Sequence, residues 1–225
     1  MLVQQNLKRL KAKIPEHVTL VAVSKTKPIS DIQEAFDAGQ KIFGENKVQE
    51  MVNKFEALPK SIQWHMIGHL QRNKVKYMAH FVDLIHGVDS LKTLKEIDKQ
   101  AKKHNRTINC LLQARIAKEE TKFGLPFDEI EQIISSDEFK SLKNIKIIGL
   151  MGMSTFTDDE DQIAAEFKSL KVFFDKLKND HLSTPNFQLS TLSMGMSGDF
   201  QIAIANGSNM IRVGSKIFGA RNYIV

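Results

Sequence analysis

One cysteine, one tryptophan, two tyrosines and five prolines are all that the 225 residues hold of these types, and each scarcity excludes something. Cys110 has no second cysteine to pair with, and it lies in the apolar run INCLLQA, where it reads as a small core residue. A reducing compartment is implied. No stretch approaches the roughly 20 consecutive apolar residues that a membrane-spanning helix needs. The first segment, MLVQQNLKRLKAKIPEH, also lacks the apolar centre and small-residue cleavage site of a secretory signal. It reads as a short amphipathic helix of a cytoplasmic protein with no membrane partner. Prolines and glycines are too scattered to form a linker, so residues 1–225 are expected to make one domain.

Acids are in deficit as well. Against 32 lysines and arginines stand 26 aspartates and glutamates, a formal net charge of +6. A nucleic-acid partner would want that excess gathered in a stripe. Instead the lysines recur at helical spacing in SLKTLKEIDKQAKKHN and EFKSLKVFFDKLKND, interleaved with acids and opposite apolar positions, which is the pattern of solvated helix faces. No nucleic-acid motif accompanies them. The remaining positive charge suits an anionic small molecule, and a monomer is the expected state.

What is abundant is a repeating alternation. Short apolar, β-prone runs fall at 18–24, 41–43, 62–67, 82–85, 108–116, 145–151, 187–192 and 209–213, with helical patterns between them. SDIQEAFDAG carries a Ser30/Gln33 capping box and a stop at Gly39, and TDDEDQIAAEFKSLKVFFDKLKND starts on acids and ends on lysines. Eight strands alternating with helices predict an α/β fold, a single (β/α)8 TIM barrel with an extra N-terminal helix, although a doubly wound sheet gives a similar string.

In such a barrel the functional groups gather where strands end. Lys25 closes the first run, GEN (44–46) follows the second, GHLQRNK the third, GVD the fourth, MGMS the sixth, SMGMSGDF the seventh and GSKIFG the eighth. Small residues with free amides at a helix start form an anion site. Ser197 and Gly198 after the seventh run, and Gly214 and Ser215 after the eighth, fall where these barrels bind phosphate, although glycine and serine are also ordinary turn residues. In NMIRVG the alternation puts Arg212 with Met210 opposite Ile211 and Val213, hence into the barrel mouth. A buried guanidinium needs a partner, either a carboxylate among Glu45, Asp89 and Asp199 or a ligand anion or ring nitrogen. Lys25 is a good amine nucleophile toward an aldehyde if apolar walls and cations disfavour its ammonium form; a strand-end lysine also snorkels readily to water. Lysine, anion cradle and guanidinium together meet the needs of pyridoxal 5′-phosphate (PLP) for a Schiff-base amine, a phosphate site and a group facing the pyridine nitrogen.

AVSKTKP, FGENKVQE, WHMIGHLQRNK, SMGMSGDF and VGSKIFGAR resemble the motifs of the PLP homeostasis protein family, called YggS/PROSC-like. Its members resemble the barrel domain of fold-type III enzymes such as alanine racemase. The motifs span nearly the whole chain. The resemblance implies that Lys25 carries PLP as an internal aldimine, that Ser197, Gly214 and Ser215 hold its phosphate, and that Arg212 faces the pyridine nitrogen. Met196, in the loop with Ser197, joins the cofactor-binding set, and Asn46 and His65 match motif positions lining the same mouth. One departure is LLQARIAKEETKFG, where the family usually has a Val-Asn pair in place of Ala114 and Arg115.

The same resemblance implies a PLP-binding protein of intracellular PLP (vitamin B6) homeostasis or delivery, with apo PLP-dependent enzymes as recipients. The alternative is a PLP-dependent racemase or decarboxylase. An arginine facing the ring nitrogen weakens the ring as an electron sink, though racemases of this fold tolerate it. Racemisation also needs an acid or base opposite the lysine, and those racemases bring a tyrosine from a second, β-rich domain. Thirteen residues separate Arg212 from Val225, and the tyrosines are Tyr77, in a helical stretch, and Tyr223, in the tail. A carrier without robust turnover is therefore the expectation. A cofactor-free Schiff-base aldolase acting on a phosphorylated sugar is a third reading. His65 and His69 straddle a strand end and a glycine rather than one helix face, so no metal site is expected, and Trp64 reads as a core aromatic.

Overall fold

The computed structural model describes residues 2–118, 123–180 and 184–220. Eight parallel strands close in sequence order into a barrel: β1 Thr19–Val23, β2 Ile42–Glu45, β3 Gln63–Met66, β4 Leu84–Val88, β5 Ile108–Gln113, β6 Ile145–Met151, β7 Phe187–Ser193 and β8 Met210–Val213. Closure is made by β8 against β1, with Thr19 opposite Met210 and Ala22 opposite Val213. Around it run α1 Leu2–Lys11, α2 Ile29–Asp37, α3 Val48–Ala57, α4 Val75–Met78, α5 Leu91–Lys103, α6 Phe127–Ser135, α7 Asp137–Lys140, α8 Glu160–Asp180, α9 Phe200–Ala205 and α10 Ser215–Phe218. The fold is an α/β TIM barrel with an N-terminal helix added. No helix among the described residues is long and apolar enough to cross a membrane.

Strands buried on both faces explain the continuous apolar runs. Successive side chains point alternately in and out, which splits the core in two. Leu20, Ala22, Phe43, Trp64, Ile211 and Val213 face the helices. Val21, Leu84, Leu111, Met151 and Met210 fill the barrel interior. The interior face of β8 therefore reads Met210, then Arg212, as the alternation requires. Cys110 is buried in the outer layer, and burial raises its thiol pKa. Helix α1 buries Val3, Leu7 and Leu10, packs on α10, and donates from Asn6 Nδ2 to the Ile217 carbonyl at 3.1 Å.

Local chemistry shifts several boundaries. The Ser30/Gln33 capping box does not form: α2 starts at Ile29 behind Pro28, so Ser30 already lies inside the first turn, and Gln33 donates to Asp37 Oδ1 at 2.7 Å. Pro28, extended at ψ 159, is itself the N-cap, and its carbonyl accepts from the Asp31 and Ile32 N–H groups, so Ser30 falls too late in the chain to cap. Gly39 does follow the helix end, with φ +88. The fourth strand begins at Leu84, and just before it Asp83 donates its N–H to Trp64 O and accepts the Trp64 N–H on its carboxylate, each at 2.9 Å. The fifth strand stops at Gln113; Ala114 makes only a single bridge to Leu125, and Arg115 is exposed.

Candidate functional site

The strand ends open on a cavity of about 610 Å³, within the range of roughly 300–1,000 Å³ usual for small-molecule sites. Lys25, Asn46, Met196, Ser197, Arg212, Gly214 and Ser215 all line it. His65 does not; it is buried in the barrel interior. Tyr77 is exposed on α4 and Arg115 is exposed beside β5, and neither lines the cavity. Tyr223 lies outside the described residues.

Arg212 reaches the cavity from β8, and its partners are not carboxylates. Its Nη1 donates to Ser193 O at 2.9 Å and Ser193 Oγ at 2.6 Å, and its Nη2 donates to Gly152 O at 3.1 Å. The three candidate acids are engaged elsewhere. Glu45 pairs with Lys54 at 2.8 Å and Asp89 with His69 at 3.0 Å. Asp199 accepts from Ser154 Oγ at 2.8 Å and from the Met196 N–H at 2.6 Å, folding its own loop. Burial lowers the Arg212 pKa to about 10, with the charge of Asp199 opposing, so the guanidinium remains a cation at neutral pH.

A buried chain of polar groups continues from it. Ser193 Oγ lies 3.2 Å from His86 Nδ1, and His86 Nε2 lies 3.0 Å from His65 Nδ1. Arginine can only donate, so Ser193 Oγ accepts from it and turns its own hydrogen to His86 Nδ1; His86 Nε2–H then donates to His65 Nδ1. Both rings are neutral in this arrangement. Burial pushes His65 down to about 3, and burial, then the neighbouring His65 and Arg212, hold His86 well below its ordinary 6.5. His65 thus acts beneath the mouth, three links from Arg212.

The loops after β7 and β8 meet at the cavity wall, where the Gly214 N–H donates to Ser197 Oγ at 3.3 Å. The amides of Ser197, Gly198 and Ser215 have no hydrogen-bond partner among the described residues. Unpaired amides beside two hydroxyls are suited to an anion. Glycine is required at 214, since a Cβ there would stand 2.9 Å from Val23 O.

Sequence reading passed over the residues that hold the Lys25 segment. Ser24 Oγ donates to Glu45 Oε1 at 2.5 Å, and Lys54 Nζ donates to Ser24 O at 2.7 Å. Lys54 shares the buried face of α3 with Val48 and Met51. A lysine at an apolar helical position was the available signal.

Comparison with known proteins decides the family. The family model for the alanine racemase N-terminal domain matches residues 2–222. A pyridoxal phosphate homeostasis protein of Haemophilus influenzae is 40% identical over 209 residues, covering 92% of this chain and 86% of that protein. The chain belongs to the pyridoxal phosphate homeostasis protein family. A member of that family from Aquifex aeolicus is 37% identical over 205 residues, covering 91% of this chain and 87% of its own. The solved structure of PipY from Synechococcus elongatus, with PLP bound, superposes with a TM-score of 0.86 at 33% identity, covering 96% of this chain and 100% of that one. An alanine racemase of Clostridium difficile shares the fold of this chain at 14% identity and a TM-score of 0.78, the match covering 99% of this chain and 58% of the racemase.

Proposed function

We propose that the chain binds PLP covalently at Lys25 and serves intracellular PLP homeostasis as a carrier, without efficient turnover of amino acids. The observation that carries this reading is a single cavity lined by the Lys25 amine, the Arg212 guanidinium and the unpaired amides of Ser197, Gly198 and Ser215. These groups fit the cofactor, which supplies an aldehyde and an electron-withdrawing ring when bound. Lys25 would hold the cofactor by condensing its Nζ with the aldehyde, the aldehyde oxygen leaving as water. The three amides and the Ser197 and Ser215 hydroxyls take the phosphate. Arg212, anchored by Ser193 and Gly152, presents a cation toward the pyridine nitrogen and keeps its own proton. Asn46 lines the same wall, and Met196 closes the phosphate loop. The PLP-bound PipY structure supports the choice of cofactor.

Carrier rather than enzyme is supported by the ionisable groups that share the cavity with the lysine. The ionisable side chains among the described lining residues are Lys25, Lys27, Asp158, Asp199 and Arg212. Lys27 Nζ is held by the carbonyls of Phe218 and Ala220 at 2.9 and 3.0 Å, and both Asp199 oxygens are occupied. Asp158, the remaining acid, is exposed to solvent, with no hydrogen bond among the described residues to hold it in place as an acid or base. A positioned acid or base is typically worth about 10²–10⁴-fold in rate. The reading assigns a cytoplasmic monomer whose recipients are apo PLP-dependent enzymes.

Borohydride reduction of the PLP-loaded protein, followed by peptide mapping, should label Lys25, and Lys25→Ala should remove the label while the protein still folds. A label on Lys27, Lys47 or Lys74 would overturn the assignment. Mixing loaded protein with an apo-aminotransferase should restore its activity. Rapid, saturable α-proton exchange of amino acids in D2O would replace the carrier reading with a racemase.

A further inference from the structure

The segment that bears Lys25 is tied down on both sides, and α3 supplies both ties. Upstream, Lys54 Nζ donates to the Ser24 carbonyl at 2.7 Å and to Glu45 Oε1 at 2.8 Å. Downstream, the Thr26 N–H donates to Glu50 Oε1 at 2.6 Å. Glu50 and Lys54 are one helical turn apart and bond to each other at 2.7 Å, so the two ties form one unit. Between them the backbone is strained. Thr26 has φ 64, a left-handed conformation that a β-branched residue seldom adopts and that persists only where its surroundings enforce it. Lys27 adds a third attachment through its bonds to the carbonyls of Phe218 and Ala220.

An ammonium with only 6% of its side chain exposed is an expensive way to hold a helix on a barrel, where an aliphatic residue at the spacing of Val48 and Met51 would pack as well. The polar unit instead secures what an aliphatic residue cannot, the path of the backbone through residues 24 to 26. We propose that Glu50 and Lys54 are positioning residues for the Lys25 amine, fixing the turn from which it reaches the cavity. The inference rests on Lys25 being the cofactor-bearing lysine. Neither residue lines the cavity, so both act through the turn.

The test compares Glu50→Ala with Glu50→Gln in the full chain, freed of cofactor and mixed with PLP. Glutamine keeps an Oε1 acceptor for the Thr26 N–H; alanine removes it. Glu50→Ala should slow Schiff-base formation at least about tenfold, since a misplacement of about 1 Å can cost up to roughly 10²-fold. Glu50→Gln should recover most of that rate. In the cofactor-free protein, amide exchange at Thr26 should accelerate in the alanine variant alone, while both variants, which equally remove the Glu50 charge from the buried Lys54, should lose thermal midpoint to a similar extent. Unchanged Schiff-base kinetics in Glu50→Ala would overturn the proposal, as would a glutamine variant as slow as alanine. Failure of the underlying assignment reads differently: the parent protein's borohydride label would fall on a lysine other than Lys25. If Glu50→Ala does not fold, Glu50→Gln and Thr26→Gly decide the matter. Thr26→Gly removes the strain and should make the turn less dependent on Glu50, so a Glu50→Ala/Thr26→Gly protein should fold and react at close to the rate of Thr26→Gly alone; a double variant at least about tenfold slower than Thr26→Gly would refute the clamp.

Discussion

Replacing Glu45 by glutamine should flatten one part of the pH–stability curve. Glu45 ends β2 with its carboxyl out of water, accepting from Ser24 Oγ and Lys54 Nζ through Oε1, while Oε2 is buried without a partner. Burial raises its pKa from 4.5 to about 7, against the charge and hydrogen bond of Lys54 and the hydrogen bond of Ser24, and with the nearby charge of Glu50 adding to the rise. Below 4.5 the carboxyl is protonated in both folded and unfolded chains. Between 4.5 and about 7 the unfolded chain releases the proton and the folded chain keeps it, so stability falls as pH rises through that window and levels off above it. The gap amounts to on the order of 3 kcal/mol. Glutamine does not titrate. The unfolding free energy of Glu45→Gln minus that of the parent should therefore climb by about 3 kcal/mol between about pH 4.5 and about pH 8. A buried amide in place of the orphan Oε2 shifts the whole difference by about 1–3 kcal/mol without tilting it. Urea unfolding at a series of pH values, followed by the fluorescence of the single, fully buried Trp64, measures both. A difference that stays level across the window would show that Glu45 ionises like an exposed carboxylate and refute the reasoning.

His65 and His86 act in the opposite sense: their folded pKa values are depressed, so stability is present above about 6.5 and is lost as pH falls and the unfolded chain takes up protons. Their ring resonances in NMR should show no titration between about pH 5 and about pH 8, and a midpoint near 6.5 for either would refute the neutral chain. Gly214→Ala should weaken PLP binding in a spectroscopic titration and destabilise the fold by about 1–3 kcal/mol, because the new methyl group meets the Val23 carbonyl, which is backbone. Ser197→Ala and Ser215→Ala should each cost at most about 1.5–3 kcal/mol of PLP affinity, since the backbone donors remain. Pyridoxal, lacking the phosphate, should bind far more weakly than PLP, and equal affinities by titration would remove the anion cradle.

The eight strands were legible in the sequence because a parallel strand covered on both faces must be apolar along its whole length. Lys25, Asn46, Arg212 and the loops carrying Met196, Ser197, Gly214 and Ser215 were legible as one set for a related reason: closing parallel strands into a barrel brings all their C-terminal ends to one face. Ser30 misled, because the competing signal of Pro28 fixed the helix start first. The partners of buried polar groups lay beyond the sequence. Whether Arg212 meets a carboxylate or a carbonyl depends on how β8 stands against β7 and β6, and His86 finds Ser193 from 107 residues away. Lys54 stands out at an apolar helical position, but its partner appears only when α3 is laid against the end of β1, where its ammonium falls on the Ser24 carbonyl. Periodicity along the chain records which side of an element is buried, since burial acts on each residue separately. A hydrogen bond needs two atoms within about 3 Å, and for residues this far apart in the chain only the closed barrel and the packing of helices on it set that distance.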